Sequence, residues 1–296
     1  MSPTATESVE RAPAGPGGGN PERRVGPPTG VDSPAASVAP RRLAAPRNGA
    51  YFAGRAFGLG MRLVPARHRF SLAARLAGSL AVPMRATWVF SGLRRGLRLN
   101  SEQDLSLHLL LRSMTASGTA FDVPLRLVGE EVLEAALSSG RGTVIVAPHA
   151  LLSRLLLRHL YDRGLWPTVI GGMNGIPLAG TRAVVQTVYP TSNVLLLART
   201  RLREGGIVCA NVDHVGGRDT KNKVSFATPV GEVHLSDSIF RLAIRCGAQV
   251  VFTFARAEPT GVRQWLAAPR SSSAGSPEAV AGDFVAFVQE HAAYLS

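Results

Sequence analysis

The chain has 296 residues, 45% of them hydrophobic, with a formal net charge of +13. Length and composition allow one large domain or two small ones and exclude a wholly disordered protein. The two cysteines, Cys209 and Cys246, sit in apolar runs and read as buried core thiols in a reducing compartment, and no metal-ligand spacing of Cys or His is present.

Residues 1–47 are rich in Pro, Gly, Ala and Ser. Such a stretch buries too little apolar surface to offset the entropy of ordering, so a disordered tail is expected there, with no apolar core of the kind a signal peptide needs. A folded domain is expected over 48–296.

Most of the excess charge lies just beyond the tail. Between Arg41 and Asn100 there are twelve arginines and no acidic residue. Within 48–100, Phe57, Leu59, Leu63, Phe70, Leu72, Leu76, Leu80 and Trp88 recur at helical spacing among Arg55, Arg62, Arg69, Arg75 and Arg85. The pattern predicts basic amphipathic helices that suit an anionic membrane surface, the other possibility being a helical subdomain with solvated arginines. Nucleic acid is not expected as a partner, because the aromatics are embedded in Leu/Ala faces instead of standing as stacking platforms. No stretch qualifies as a membrane span.

Residues 101–139 read as helical. Thr143–Ala147 (TVIVA) is a β-branched run that predicts a buried strand, with Pro148 and His149 at its carboxyl end and a Leu/Arg-rich helix after it to Leu160. Strands are expected at 167–171, 194–197, 206–212 and 250–254. Helices are expected at 178–188 and 236–245, with a last one opened by Ser276-Pro277-Glu278. Strands alternating with helices predict an α/β sandwich.

In open α/β sheets, functional groups gather just past the carboxyl ends of strands. His149 and Asp213 are both placed that way. A histidine there can take the proton of a hydroxyl that attacks a thioester carbonyl, and it works best when a carboxylate fixes its tautomer. His159 with Asp162 reads as surface polarity. His214 and Asp219, four residues apart in a glycine-containing stretch, read as a chance spacing.

The order of these pieces resembles the lysophospholipid acyltransferase superfamily, and within it the lipid A lauroyl/myristoyl and phosphatidylinositol mannoside acyltransferase branch. The resemblance spans about residues 50–290. It rests on the amphipathic N-terminal region, Leu127-Val128-Gly129 before a helix and Gly-Arg-Gly-Thr-Val-Ile-Val-Ala-Pro-His at 140–149. It continues through Arg203-Glu204-Gly205-Gly206, leading to a strand that ends at Asp213, then 226–230 and Gly247-Ala248-Gln249-Val250.

The resemblance implies a mixed-sheet α/β sandwich of the glycerolipid acyltransferase type. It implies transfer of an acyl chain from an acyl-carrier-protein or coenzyme A thioester to a lipid or glycolipid hydroxyl. The thioester is a co-substrate, so no cofactor or metal is implied. The expected location is peripheral, on the cytoplasmic face of the cell membrane. His149 is implied as the base, and Arg182 as a group that binds a carrier phosphate or an anionic head group.

The family pattern places Asp or Glu five residues after the histidine. Here that position holds Arg154, which cannot accept the imidazole N–H and would repel an imidazolium. Two alternatives follow. Asp213 orients His149, or Asp213 caps a loop and the protein holds acyl chains or a partner enzyme without turnover. If turnover occurs, Arg154 could instead hold a phosphate or carboxylate of the substrate.

Overall fold

Runs of β-branched residues with little polar interruption need burial on both faces, and this chain satisfies them with a sheet between helical layers. The computed structural model describes residues 49–85, 102–171, 176–181, 184–185, 187–188, 193–213, 223–228, 231–270 and 275–292. The expected tail, Arg182 and the His214/Asp219 pair lie outside them.

The strands are β1 (Leu125–Val128), β2 (Thr143–Ala147), β3 (Thr168–Ile170), β4 (Ile176–Pro177), β5 (Val184–Val185), β6 (Thr187–Val188), β7 (Ile207–Asn211), β8 (Lys223–Thr228), β9 (Gly231–Ser236), β10 (Gln249–Glu258) and β11 (Gly261–Ala267). The helices are α1 (Gly49–Gly60), α2 (Ala66–Arg85), α3 (Glu102–Ala116), α4 (Glu130–Ser138), α5 (Leu155–Asp162), α6 (Val194–Arg203), α7 (Ser238–Cys246) and α8 (Pro277–Ala292).

Seven strands form a mixed, mostly parallel sheet in the order β1-β11-β10-β2-β7-β3-β6. β10, β2, β7, β3 and β6 run parallel, while β11 is antiparallel to β10 and carries β1 beside it. Two small antiparallel pairs, β4 with β5 and β8 with β9, lie outside the sheet.

Alternation along the central strands assigns each face. Val144, Val146, Val208, Ala210, Phe252 and Phe254 pack with α6, α7 and α8. Ile145, Cys209 and Val251 point to the other face and meet Leu133 of α4 and Leu156, Leu157 and Leu160 of α5. The final helix begins as expected, with the Ala279 N–H donating to Ser276 Oγ at 3.1 Å.

The helices α1–α3 form a layer of their own. Phe70, Ala73, Ala74 and Ala77 of α2 are buried with Leu107, Leu111 and Met114 of α3. Two arginines of the basic segment fasten this layer. Arg69 Nε donates to the Met61 and Val64 carbonyls at 2.9 and 2.7 Å, its Nη2 donates to Arg62 O at 3.0 Å, and its Nη1 donates to Ala120 O. Arg62 donates to the Ser117 carbonyl. Much of the apolar face expected to meet a membrane is therefore spent on internal packing, but Leu59, Leu63, Leu72 and Leu80 stay exposed, Leu63 at 90%. Among the described residues no helix is long and apolar enough to cross a membrane.

Three expected elements are corrected. The helical stretch over 101–139 is α3 and α4 with the strand β1 between them. The helix over 178–188 is the short strands β5 and β6, in which Val184-Val185 and Thr187-Val188 follow the β-branched preference. The strand over 194–197 is the first turn of α6, whose buried residues Val194, Ala198 and Leu202 repeat every four positions. A four-residue apolar run cannot decide between the two states, and the arginines that follow it extend the helical period. The strands β1, β4, β8, β9 and β11 were not foreseen.

Candidate functional site

Parallel neighbours that finish level bring the residues just beyond them together. β2 and β7 pair with Ala147 opposite Asn211. The Val212 N–H donates to the Ala147 carbonyl at 3.3 Å, so the pairing runs one step past the ladder. Two residues on, His149 stands beside Asp213.

Asp213 takes hold of both the backbone and the ring of His149. The His149 N–H donates to the two carboxylate oxygens at 2.9 and 2.8 Å. Nδ1 lies 2.5 Å from Asp213 Oδ1. The histidine side chain is 27% exposed and the aspartate 13%. With Nδ1–H donating to the carboxylate, the lone pair of the neutral ring is on Nε2, and a carboxylate in this place also stabilises the imidazolium. Asp213 thus both caps the His149 backbone and contacts its ring, so the geometry contains the contacts of both alternatives left by the sequence.

His149 lines a cavity of about 370 Å³ whose walls include Ile145, Leu156, Leu157, Val169 and Ile170. A largely apolar cavity with a few polar groups is the usual form of a small-molecule site. Cys209 also lines it, but burial pushes the thiol up to about 12, so it is no nucleophile at neutral pH. Both cysteines are free, Cys209 buried and Cys246 half-buried.

Arg154 borders the same cavity, at the end of the 3-10 turn Leu151–Arg154. It does not displace Asp213 from His149. It is half-buried, and its charge is disfavoured first by burial and then by Arg112 of α3. His108, one turn before Arg112 on α3, is pushed down to about 4 by burial, then by the charges of Arg154 and Arg112. Ser153, only 6% exposed, borders the cavity too, and its hydroxyl has no hydrogen-bond partner. Behind it, Gln264 Nε2 donates to Thr253 Oγ1 at 2.8 Å and to the Ser153 carbonyl at 3.2 Å.

The residues foreseen thus divide. His149 and Arg154 line one cavity and Asp213 contacts His149, while Arg182 lies outside the described residues. His159 and Asp162 do not pair, since Asp162 takes Arg158 at 2.6 Å and His159 Nε2 lies 3.7 Å from Glu130. His108, Arg112 and Ser153 were missed. Spacing of four within an evident helix could have linked His108 to Arg112, but nothing in the sequence sets α3 against the turn that carries Arg154. Among the described residues no group of three His, Cys, Asp or Glu side chains is placed to hold a metal ion.

No protein-family model matches the chain, and no curated protein matches its sequence at a significant level.

Proposed function

We propose that the protein transfers an acyl chain from a thioester to the hydroxyl of a lipid or glycolipid at a membrane surface, with His149 as base and Asp213 as its orienting carboxylate. The observation that carries the reading is the Asp213 contact to His149 Nδ1 at the edge of an apolar cavity. The fold reading goes with it: the mixed sheet is of the glycerolipid acyltransferase type, with α1 and α2 as its amphipathic N-terminal region.

His149 Nε2 takes the proton of the acceptor hydroxyl as the oxygen attacks the thioester carbonyl carbon. The C–O bond forms, the C–S bond breaks, and the imidazolium returns its proton to the departing thiolate, which leaves as a thiol. Asp213 holds the imidazolium through this cycle. The apolar wall suits the acyl chain, since each methylene withdrawn from water contributes about 0.8 kcal/mol. The thioester is an acyl-carrier-protein or coenzyme A conjugate, and no cofactor enters the reaction.

The test is release of thiol from an acyl-coenzyme A and an acyl-carrier-protein conjugate, each with a lysolipid or glycolipid acceptor. Acceptor-dependent release is expected from the wild type and none from His149→Ala. If the wild type binds a fatty acid yet releases no thiol with any acceptor, the rival reading of an acyl-holding protein without turnover replaces this one. If release survives His149→Ala, the histidine is structural.

The peripheral location, on the cytoplasmic face, rests on the arginine-rich segment and on the exposed Leu59, Leu63, Leu72 and Leu80. The protein is expected to sediment with anionic vesicles, less so in high salt but still measurably, because apolar insertion is not screened. Equal sedimentation with neutral vesicles would remove the charge from the account.

A further inference from the structure

We infer that Arg154 and Ser153 form an anion site in the His149 cavity that takes a phosphate group of the bound ligand. The inference deepens the proposed function by naming a ligand feature, and it rests on that reading only for which substrate carries the phosphate.

Two independent observations converge on this end of the cavity. The first is charge without compensation. Arg154 is half-buried and lines the cavity, with Arg112 near enough to disfavour its charge. Among the described residues no carboxylate pairs with either guanidinium. Removing a cation from water without a partner costs several kcal/mol, and an arginine kept in that state is a ready receptor for an anion. The contrast with other arginines is direct, since Arg158, Arg163 and Arg241 each meet a carboxylate.

The second observation is the Ser153 hydroxyl. It adjoins Arg154 in the chain, lines the same cavity and is buried with its oxygen unpartnered. Buried hydroxyls nearly always have a partner, and one left without it inside a cavity is a donor awaiting an acceptor. A phosphate oxygen accepts from a hydroxyl and from a guanidinium together, and the guanidinium fork can engage two phosphate oxygens.

The packing of α3 on the turn explains why the pair is held in place. Leu107 and Leu111 of α3 and Leu152 of the turn share one buried cluster, which sets the neighbouring His108 and Arg112 against Arg154. His108 is uncharged at neutral pH in this setting, so it adds no further repulsion. A phosphate in the cavity would offset the charge of Arg154, on which the exposed Arg112 acts from outside the lining, whereas the His149–Asp213 pair a few residues away already balances its own. The cavity therefore has a reacting end at His149 and an anchoring end at Arg154.

The phosphate could be that of the acceptor's head group or the one that ends the pantetheine arm of the thioester donor, a diester to the carrier serine or part of the diphosphate of coenzyme A. Calorimetric titration of the full chain with inorganic phosphate, glycerol 3-phosphate and pantetheine 4′-phosphate tests the site, with glycerol and pantetheine as neutral controls. Saturable binding of the phosphorylated probes alone is expected, weakened at least tenfold in Arg154→Gln and several-fold in Ser153→Ala, and partly retained in Arg154→Lys. Preference for glycerol 3-phosphate assigns the phosphate to the acceptor, preference for the pantetheine probe assigns it to the donor, and either supports the site.

Proton NMR of the His108 ring guards against misfolding as the cause of a loss. In wild type, phosphate should raise the pH at which this ring titrates, and in Arg154→Gln it should not. Phosphate binding equal in wild type and Arg154→Gln, or absent in wild type by about 10 mM, overturns the inference. Phosphate binding that persists while no acyl transfer is found removes the proposed reaction and leaves the anion site standing.

Discussion

The two ends of the cavity are built on opposite electrostatic plans. At His149 the carboxylate of Asp213 is tied to the backbone N–H and the ring of one residue, so charge and hydrogen bonds close locally. At Arg154 burial and the like charge of Arg112 disfavour the guanidinium, and the adjacent hydroxyl has no partner. A closed group is ready to work on whatever is brought to it. An open one is completed only by a ligand. The difference teaches that an arginine five residues after His149 does not leave the histidine without a carboxylate, because Asp213, just past the neighbouring strand, supplies one.

The largest effect expected at the closed end is that of Asp213→Asn. The amide cannot stabilise an imidazolium and favours the wrong tautomer, which in the serine-protease template costs about 10⁴ in rate. A fall of about three to four orders of magnitude in thiol release is expected, with phosphate binding at the other end unchanged. A rate within tenfold of wild type would make Asp213 a loop anchor and undo the contrast from its reactive side.

That carboxylate shows how much of the site was legible in the sequence. His149 and Asp213 each stood out at a strand end. What could not be read was that β2 and β7 are neighbours in the same register, because strand order is set by packing between distant segments. The family spacing drew attention to Arg154, five residues downstream, while the true contact spans 64 residues. The fold divides in the same way. Thr143–Ala147 and Ile207–Asn211 are buried on both sides and announce themselves as strands. The stretch that holds Val184-Val185 and Thr187-Val188 does not, and there a helix was expected where β5 and β6 form. The strand β11 escaped because Gly261-Val-Arg-Gln-Trp-Leu-Ala mixes polar and apolar residues, and its pairing with β1 and β10 supplies what its composition lacks.

The next effect belongs to the open end and is read by pH. His108 is pushed down to about 4 from an ordinary value near 6.5. The unfolded chain therefore binds a proton that the folded chain refuses between those two pH values. Stability contributed by this group is full above about pH 6.5 and declines as pH falls toward 4, by up to about 3 kcal/mol. Denaturant unfolding of wild type and His108→Gln across pH 4 to 7 checks this. The variant should lose less stability on acidification, and phosphate should flatten the wild-type slope because it offsets the arginine charges acting on the ring. Parallel curves for the two proteins would mean that burial and the neighbouring arginines do not keep His108 from its proton.

The smallest effect discriminates most finely, because stability and binding should move in opposite directions. Ser153 keeps a hydroxyl buried without a partner at a place where the fold alone makes no use of it. Leaving such a group unpaired costs on the order of 1 kcal/mol or more, so replacing it by a methyl group that cannot be unsatisfied should be neutral or slightly stabilising. The backbone hydrogen bond of the turn, from the Ser153 N–H to the Ala150 carbonyl at 3.0 Å, survives the change. Ser153→Ala is therefore expected to unfold at the same or a marginally higher denaturant concentration while its phosphate affinity falls several-fold. A residue kept for packing would show the reverse, a loss of stability with affinity intact. In that case the open end of the cavity would be a flaw the fold tolerates, and the comparison between the two ends would lose its functional meaning.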